Sequence, residues 1–299
     1  MFMAGRKPSH SQHTLLRRVD FHMGEAVRAS LAGSYDKAEA HSETALSISR
    51  ELYRKECGHR AELAAALACH AVSSAAYGRL GDAIALLTES AGHYAVLAQS
   101  DPEAYEVHRL DVLTRVALAS DTAGNTEGAI ALLGEVIGLY ARAPATAQAE
   151  LDFARARARF HLGRCLLKTG DRHGALAELD AGLADAGRAW KLLTGADAEE
   201  PEEGSWLAAA PRFVQLTAVD WAAAAVRAMA LHAAARHWRS AAHAARVAVR
   251  LSAGLAALGG DARRESYAAV RERADAIWAR ARQETRARQE QLGRAPQEA

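Results

Sequence analysis

Aliphatic residues recur in pairs three apart, at Ile84 and Leu87, Ile130 and Leu133, and Leu176 and Leu179. That spacing keeps both members of a pair on one face of a helix. Each pair follows an alanine (Ala83, Ala129, Ala175), and each alanine follows a glycine by five residues (Gly78, Gly124, Gly170). An earlier copy opens at Gly33 and carries Ala38. The four glycines are 45, 46 and 46 residues apart. Seven residues before each stands a small one: Ala26, Ala71, Ala117 and Gly163. A period of this length marks an array of supersecondary units. Each unit reads as a helical hairpin. The glycine ends the first helix, because a left-handed residue is cheapest without a Cβ. Asn125 and Asp171 then stand where a side-chain cap opens the second helix. The small residues fall where two helices cross closely.

A fifth, weaker copy begins at Arg236, with Trp238 in the slot of Tyr35 and Leu80 and Ala241 in the alanine slot. It lies 66 residues after Gly170, one period plus about 20 residues. The excess is the acidic stretch Thr194 to Pro211, whose Gly and Pro predict a loop, mobile over Thr194–Ser205. Beyond the fifth copy, Tyr267, Val270, Ala274, Ile277, Trp278 and Ala281 form a narrow apolar stripe among Arg and Glu. A terminal unit must close the core and face water outside, so a capping helix is expected there. A dimerising helix is the alternative, although the stripe is short for a coiled coil.

Composition narrows the class. The chain has 299 residues, 73 of them alanine, with 6 prolines and 5 phenylalanines, which favours helix throughout. Net charge is +1, so no global field draws in nucleic acid or membrane. Arginine outnumbers lysine 32 to 5, a balance that with the alanine excess points to a GC-rich bacterial genome of actinobacterial type. Three cysteines (Cys57, Cys69, Cys165) suggest reduced thiols and a cytoplasmic location. The first residues lack the apolar run of a secretory signal, and no 18-residue apolar run predicts a membrane span.

A small residue, a helix end at Gly, a large residue, then Ala and an aliphatic pair: this order resembles the tetratricopeptide repeat (TPR), over about residues 19–258. The period exceeds that family's 34 residues, so helices of about 20 residues are expected. Leu67 and Leu113 stand where the family has Trp, and Arg159 departs from the pattern. The resemblance implies an all-α, right-handed α-solenoid of about five TPR-like helical hairpins plus a C-terminal capping helix. The expected division is a disordered tail over 1–14, a repeat domain over 15–258 with its acidic insertion at 194–211, and a capping helix with a frayed tail over 259–299.

By the same resemblance, first helices line a concave groove where ligands bind. The glycine anchor places Met23 and Val27 there from the first hairpin. It places Asp111, Thr114, Arg115, Leu118 and Asp121 there from the third, and Arg157, Phe160, His161, Arg164 and Lys168 from the fourth. Arg157, Arg164 and Lys168 share one helix face, a basic wall suited to a carboxylate or an acidic peptide, with Phe160 as an apolar anchor. Asp111 and Arg157 are one period apart and could equally pair with each other. A second basic stripe, Arg239, His243, Arg246 and Arg250, reads as a solvated outer face; an acidic protein, or the chain's own Glu199, Glu200, Glu202 and Glu203, could also meet it.

Signatures of catalysis are missing: there is no phosphate loop, no G-x-S-x-G and no H-E-x-x-H. Cys57, His59, Cys69 and His70 lie close in sequence but fit no common zinc spacing. No cofactor and no metal are expected. The resemblance therefore implies a non-enzymatic protein–protein interaction scaffold or adaptor holding a peptide or partner helix in its groove. The alternative is a regulatory sensor that binds a small ligand or signalling peptide and controls a separately encoded regulator. A protein partner, acidic in character, is expected, with no nucleic acid and no membrane. The chain itself would be a monomer or a homodimer through its C-terminal helix.

Overall fold

The repeat punctuation sets the helices. The computed structural model describes residues 10–31, 33–55, 57–143, 148–195, 212–257 and 261–293. They form α1 (His10–Leu31), α2 (Tyr35–Lys55), α3 (Arg60–Ala76), α4 (Leu80–Ser100), α5 (Pro102–Thr122) and α6 (Thr126–Tyr140). Then follow α7 (Gln148–Lys168), α8 (Arg172–Thr194), α9 (Arg212–Ala234), α10 (Trp238–Ala257) and α11 (Asp261–Gly293). A short 3₁₀ turn, Cys57–His59, precedes α3. No strand occurs among the described residues. Five hairpins (α1–α2, α3–α4, α5–α6, α7–α8, α9–α10) and a terminal helix make an all-α repeat fold. The chain forms two compact units, Met1–Thr146 with three hairpins and Ala147–Ala299 with two hairpins and α11.

One turn geometry closes every hairpin. Gly33, Gly78, Gly124 and Gly170 all have positive φ, between 72° and 94°. In each case the glycine N–H donates to the carbonyl three residues back, and the next N–H to the carbonyl five back. That pair of bonds satisfies helix-end carbonyls that would otherwise have no partner. Arg236 does the same in the fifth hairpin, with a φ of 57°. On the far side, Asn125 accepts the Gly128 N–H at 3.0 Å and Asp171 the Gly174 N–H at 2.8 Å, the two side-chain caps expected from sequence.

The alanines of the repeat are the crossing points. Ala38, Ala83, Ala129, Ala175 and Ala241 are all 0% exposed. A Cβ added at Gly163 of α7 would lie 2.9 Å from Leu179 Cγ and 3.1 Å from the Ala175 carbonyl of α8. Only a glycine lets these two backbones approach that closely. Leu87, Leu133 and Leu179 are buried, while Ile84, Ile130 and Leu176 flank them half-buried. In the second unit the core centres on Phe153, Trp190, Trp221, Met229 and Leu251. Val270 and Ala274 of α11 pack against it, and Trp278 donates its indole N–H to the Ala242 carbonyl at 3.2 Å. α11 thus covers one side of this core.

Two boundaries differ from expectation. α1 begins at His10, ahead of Leu15, because Leu15, Leu16 and Val19 pack on Ile48 and Leu52 of α2 and the helix extends back from that anchor. α8 runs to Thr194 and ends on Gly195 at a φ of 73°. The rest of the expected acidic loop at 194–211 lies outside the described residues, as do residues 1–9 and 294–299.

Arg159, the departure from the repeat pattern, has a structural partner set. Its Nη1 reaches Glu178 at 2.8 Å and its Nε reaches Asp185 at 3.1 Å, both on α8. Asp185, 4% exposed, also accepts Arg155 at 2.8 Å and Arg188. Asp152 joins through Arg155 at 2.6 Å. A charge network binds α7 to α8 where the repeat pattern calls for an aromatic side chain.

Candidate functional site

In the first unit, Asp111 accepts Arg115 at 2.8 Å, one turn along the same α5 helix. The Asp111 carboxylate raises the proton affinity of that guanidinium, as do the neighbouring Cys69 and Tyr94. Thr114 is buried and donates to the Leu110 carbonyl at 2.9 Å. Asp121 is 3% exposed and accepts the Thr126 hydroxyl at 2.9 Å across the α5–α6 turn. It braces a turn instead of lining a groove. Leu118 and Val27 are half-buried, and Met23 packs against the α1–α2–α3 core.

In the second unit, α7 and α9 bring charges together. Arg157 Nε and His161 Nε2 each lie 3.7 Å from Asp220 Oδ2 on α9. Arg164 of α7 and Arg227 of α9 complete the group. Burial pushes the Asp220 carboxyl up, while Arg157, Arg164 and Arg227 pull it down. Burial lowers the proton affinity of Arg227, Arg164 lowers it further, and Asp220 opposes both. Positions 157, 161, 164 and 168 step by four, three and four, so Lys168 extends the same helix face to its exposed end. Three guanidiniums thus act on the Asp220 carboxylate in a partly desolvated place. Sequence reasoning found the α7 half of this group. It missed Asp220 and Arg227, which lie after the acidic insertion where the period is broken.

Phe160 is a correction. It is 2% exposed, and its ring lies against Gly182 of α8, where an added Cβ would approach to 2.6 Å. It belongs to the core cluster with Phe153 and Trp221 and presents no anchor at the surface. The reason is helical: Phe160 lies 60° from Arg157 about the helix axis but on the α8 side.

Of the stripe Arg239, His243, Arg246 and Arg250, the first three are exposed, as a solvated face requires, and Arg250 is not. Arg239, Arg246 and Arg250 wall a cleft of about 1030 Å³ between α10 and α11. Arg250 is 9% exposed, with its guanidinium over the Trp190 ring at 5.2 Å.

The cysteine and histidine residues scatter. Cys69 is a free thiol, pushed up by burial and opposed by Arg115. His70 turns to Ser42 at 3.0 Å, and His59 lies 3.9 Å from Glu62. Among the described residues, no three metal-ligating side chains converge. No helix among them is long and apolar enough to cross a membrane.

Neither family models nor curated proteins match the sequence. Solved structures do. A Podosopora anserina protein assigned as a kinesin light chain, built of nearly identical TPR-like repeats, aligns at a TM-score of 0.51 and 17% identity. The alignment covers 80% of this chain and 96% of that one, and a single-substitution variant of the same protein aligns equally. BtubC (BKLC) from P. vanneervenii aligns at a TM-score of 0.44 and 13% identity, over 89% of this chain and 95% of that one. At such identities the first likeness establishes the fold: an all-α TPR-like helical repeat.

Proposed function

We propose that this chain is a non-enzymatic protein-interaction scaffold, and that the α7–α9 face holds an acidic segment of a protein partner. One observation carries the reading: Arg157, Arg164 and Arg227 all act on the Asp220 carboxylate, which concentrates guanidiniums on this face. Burial lowers the proton affinity of Arg227, and the neighbouring Arg164 charge lowers it further. A partner carboxylate entering there would relieve it and could take a two-pronged hydrogen bond from a guanidinium. Lys168 lengthens the face for a second acidic side chain. The corresponding α5 surface carries Asp111 beside Arg115, whose charges offset each other, so the basic helix is the binding one. A helical-repeat fold supports the reading only in part, since fold alone does not choose a function.

The test is a random-peptide display selection on the immobilised full chain. It uses an Arg246→Glu/Arg282→Glu background, which removes the separate basic surface of α10 and α11. Acid-rich sequences should be enriched. They should be lost when Arg164→Glu and Lys168→Glu are added, with the thermal midpoint nearly unchanged, and they should weaken as salt rises. Enrichment of neutral sequences, or equal enrichment on the Arg164→Glu/Lys168→Glu protein, would show that this face is not the docking site. A retained metabolite in place of a peptide would favour the sensor.

A further inference from the structure

A smaller cleft opens across α10, between α9 and α11. On α9 it is walled by Val219, Ala223, Val226 and Arg227, at steps of four, three and one. On α11 it is walled by Ala269, Val270 and Arg273, at steps of one and three. Each set is one helix face, aliphatic until it ends on an arginine. The two arginine ends coincide. The turn at Arg236 sends α10 back along α9. α11 runs back along α10: Trp278 meets Ala242, and Arg280, two residues on, lies over Trp238, four residues earlier. α9 and α11 are therefore parallel, and Arg227 and Arg273 stand at one end of the cleft.

Arg227 is poorly placed for a cation. It is half-buried, and both burial and Arg164 lower its proton affinity. The opposing charge, Asp220, lies two helix turns back on α9. Among the described residues no carboxylate forms an ion pair with Arg227 or with the exposed Arg273, and none lines the cleft. The aliphatic strip is uncovered as well. Val219 is 54% exposed, and Ala223, Val226 and Leu255 are half-buried. An anion at the arginine end would stabilise the Arg227 charge, and a chain along the strip would take apolar surface out of water.

The lining selects the guest. The strip from Val219 to Arg227 is about 12 Å long, at a helix rise of about 1.5 Å per residue. The cleft holds about 550 Å³, within the range of small-molecule sites. Among the described residues no aromatic ring lines it, so a base has nothing to stack on. Its uncharged polar groups are the hydroxyls of Ser252 and Ser266, too few to read a sugar.

We infer that the α9–α11 cleft binds an aliphatic carboxylate of medium chain length, with the carboxylate at Arg227 and Arg273 and the chain along Val219, Val226 and Leu255. The site shares Arg227 with the α7–α9 face but does not depend on that face holding a peptide.

The probe is decanoate, kept below its micellar concentration and titrated calorimetrically into the full chain. Binding should saturate. Affinity should rise tenfold or more from hexanoate to decanoate, and decanol should bind at least tenfold more weakly than decanoate. Arg273→Glu and Val219→Asp, both at exposed positions, should each weaken decanoate tenfold or more, as should Arg227→Gln. Circular dichroism melts confirm that the variants fold. Lys168→Glu, on the α7–α9 face alone, should leave the affinity unchanged. Decanoate with a diazirine at its chain end, irradiated with the full chain, should label residues beside Val219, Leu255 or Ser266. The inference is overturned if binding does not saturate, if hexanoate or decanol binds as well as decanoate, or if the label falls on other elements. It is also overturned if Arg273→Glu and Val219→Asp leave the affinity unchanged, or if Lys168→Glu weakens it as much as they do. Acid-rich peptides enriched on a chain that fails to bind decanoate would sink this inference alone.

Discussion

The His237 N–H donates to the His232 carbonyl at 2.8 Å, the same bond that Asp171 makes to Leu166 at 2.9 Å one hairpin earlier. The residue before it is Arg236 in one case and Gly170 in the other, both left-handed. A left-handed residue with a Cβ costs about 1–2 kcal/mol, and glycine's extra chain entropy returns about 0.5–1 kcal/mol of that. Arg236→Gly should therefore stabilise the second unit by roughly 0.5–1 kcal/mol, and Gly170→Ala should destabilise it by about 1 kcal/mol. Chemical denaturation of both variants checks the pair. A destabilised Arg236→Gly protein would mean that the arginine side chain matters more than its backbone.

Ala175 and Ala129 lie fully buried at hairpin crossings. Ala175→Leu and Ala129→Leu should each destabilise by about 1–3 kcal/mol through overpacking. Ala177→Leu and Ala131→Leu, on exposed positions of the same helices, should fall within about 0.5 kcal/mol of the parent. Equal melts for the buried and exposed pairs would remove the crossing role from these alanines.

The Asp185 carboxylate holds three arginines. Removing one partner of a buried charge pair typically costs about 3–5 kcal/mol. Here Arg155 and Arg159 are only partly buried and Arg188 is exposed, so Asp185→Ala should cost about 2–3 kcal/mol, below that range. Glu178→Ala, which releases Arg159 alone, should cost less than about 1 kcal/mol. A double-mutant cycle of Asp185→Ala with Arg155→Ala measures the coupling. Zero coupling would contradict the network.

Acid should loosen the first unit. His93 Nδ1 accepts Arg60 Nη1 at 3.3 Å, its ring meets Tyr53 edge-on, and Glu89 lies 4.0 Å away. Burial lowers its proton affinity, Arg60 lowers it further, and Glu89 opposes both. Burial likewise lowers His70, with Arg79 and Arg50 adding and Glu43 and Glu39 opposing. The unfolded chain takes up these protons near pH 6.5 and the folded chain only at lower pH, so stability falls as pH drops below 6.5. Melting temperatures between pH 7.5 and 5.5 should decline, and His70→Gln/His93→Gln should flatten that decline. A variant with the parent's slope would exclude these two groups as its source.

Local chemistry was legible in the sequence and cross-helix chemistry was not. Gly33, Gly78, Gly124 and Gly170 announce their turns because only the backbone at that position selects glycine. Asn125 and Asp171 announce their caps for the same local reason. Phe160 and Arg157 are three residues apart and nearly on one face, yet one is core and the other surface. That divide depends on where α8 lies, which no spacing along α7 encodes. Asp220 and Arg227 were missed because the acidic insertion breaks the period that located the α7 residues. Arg239 and Arg246 read as a solvated stripe and are exposed; Arg250 leaves that stripe to lie over the Trp190 ring of α8, a contact that no spacing along α10 encodes.

The turn bonds around Gly33, Gly78, Gly124, Gly170 and Arg236 all close within a few residues of the glycine or arginine itself. A gene segment of 45 or 46 codons therefore carries its own complete corner. Duplicating or deleting one such segment leaves the remaining corners intact, and the new junction is made only of one helix stacking on another. Such a chain can change length in whole hairpins by recombination while every remaining hairpin keeps its own corner.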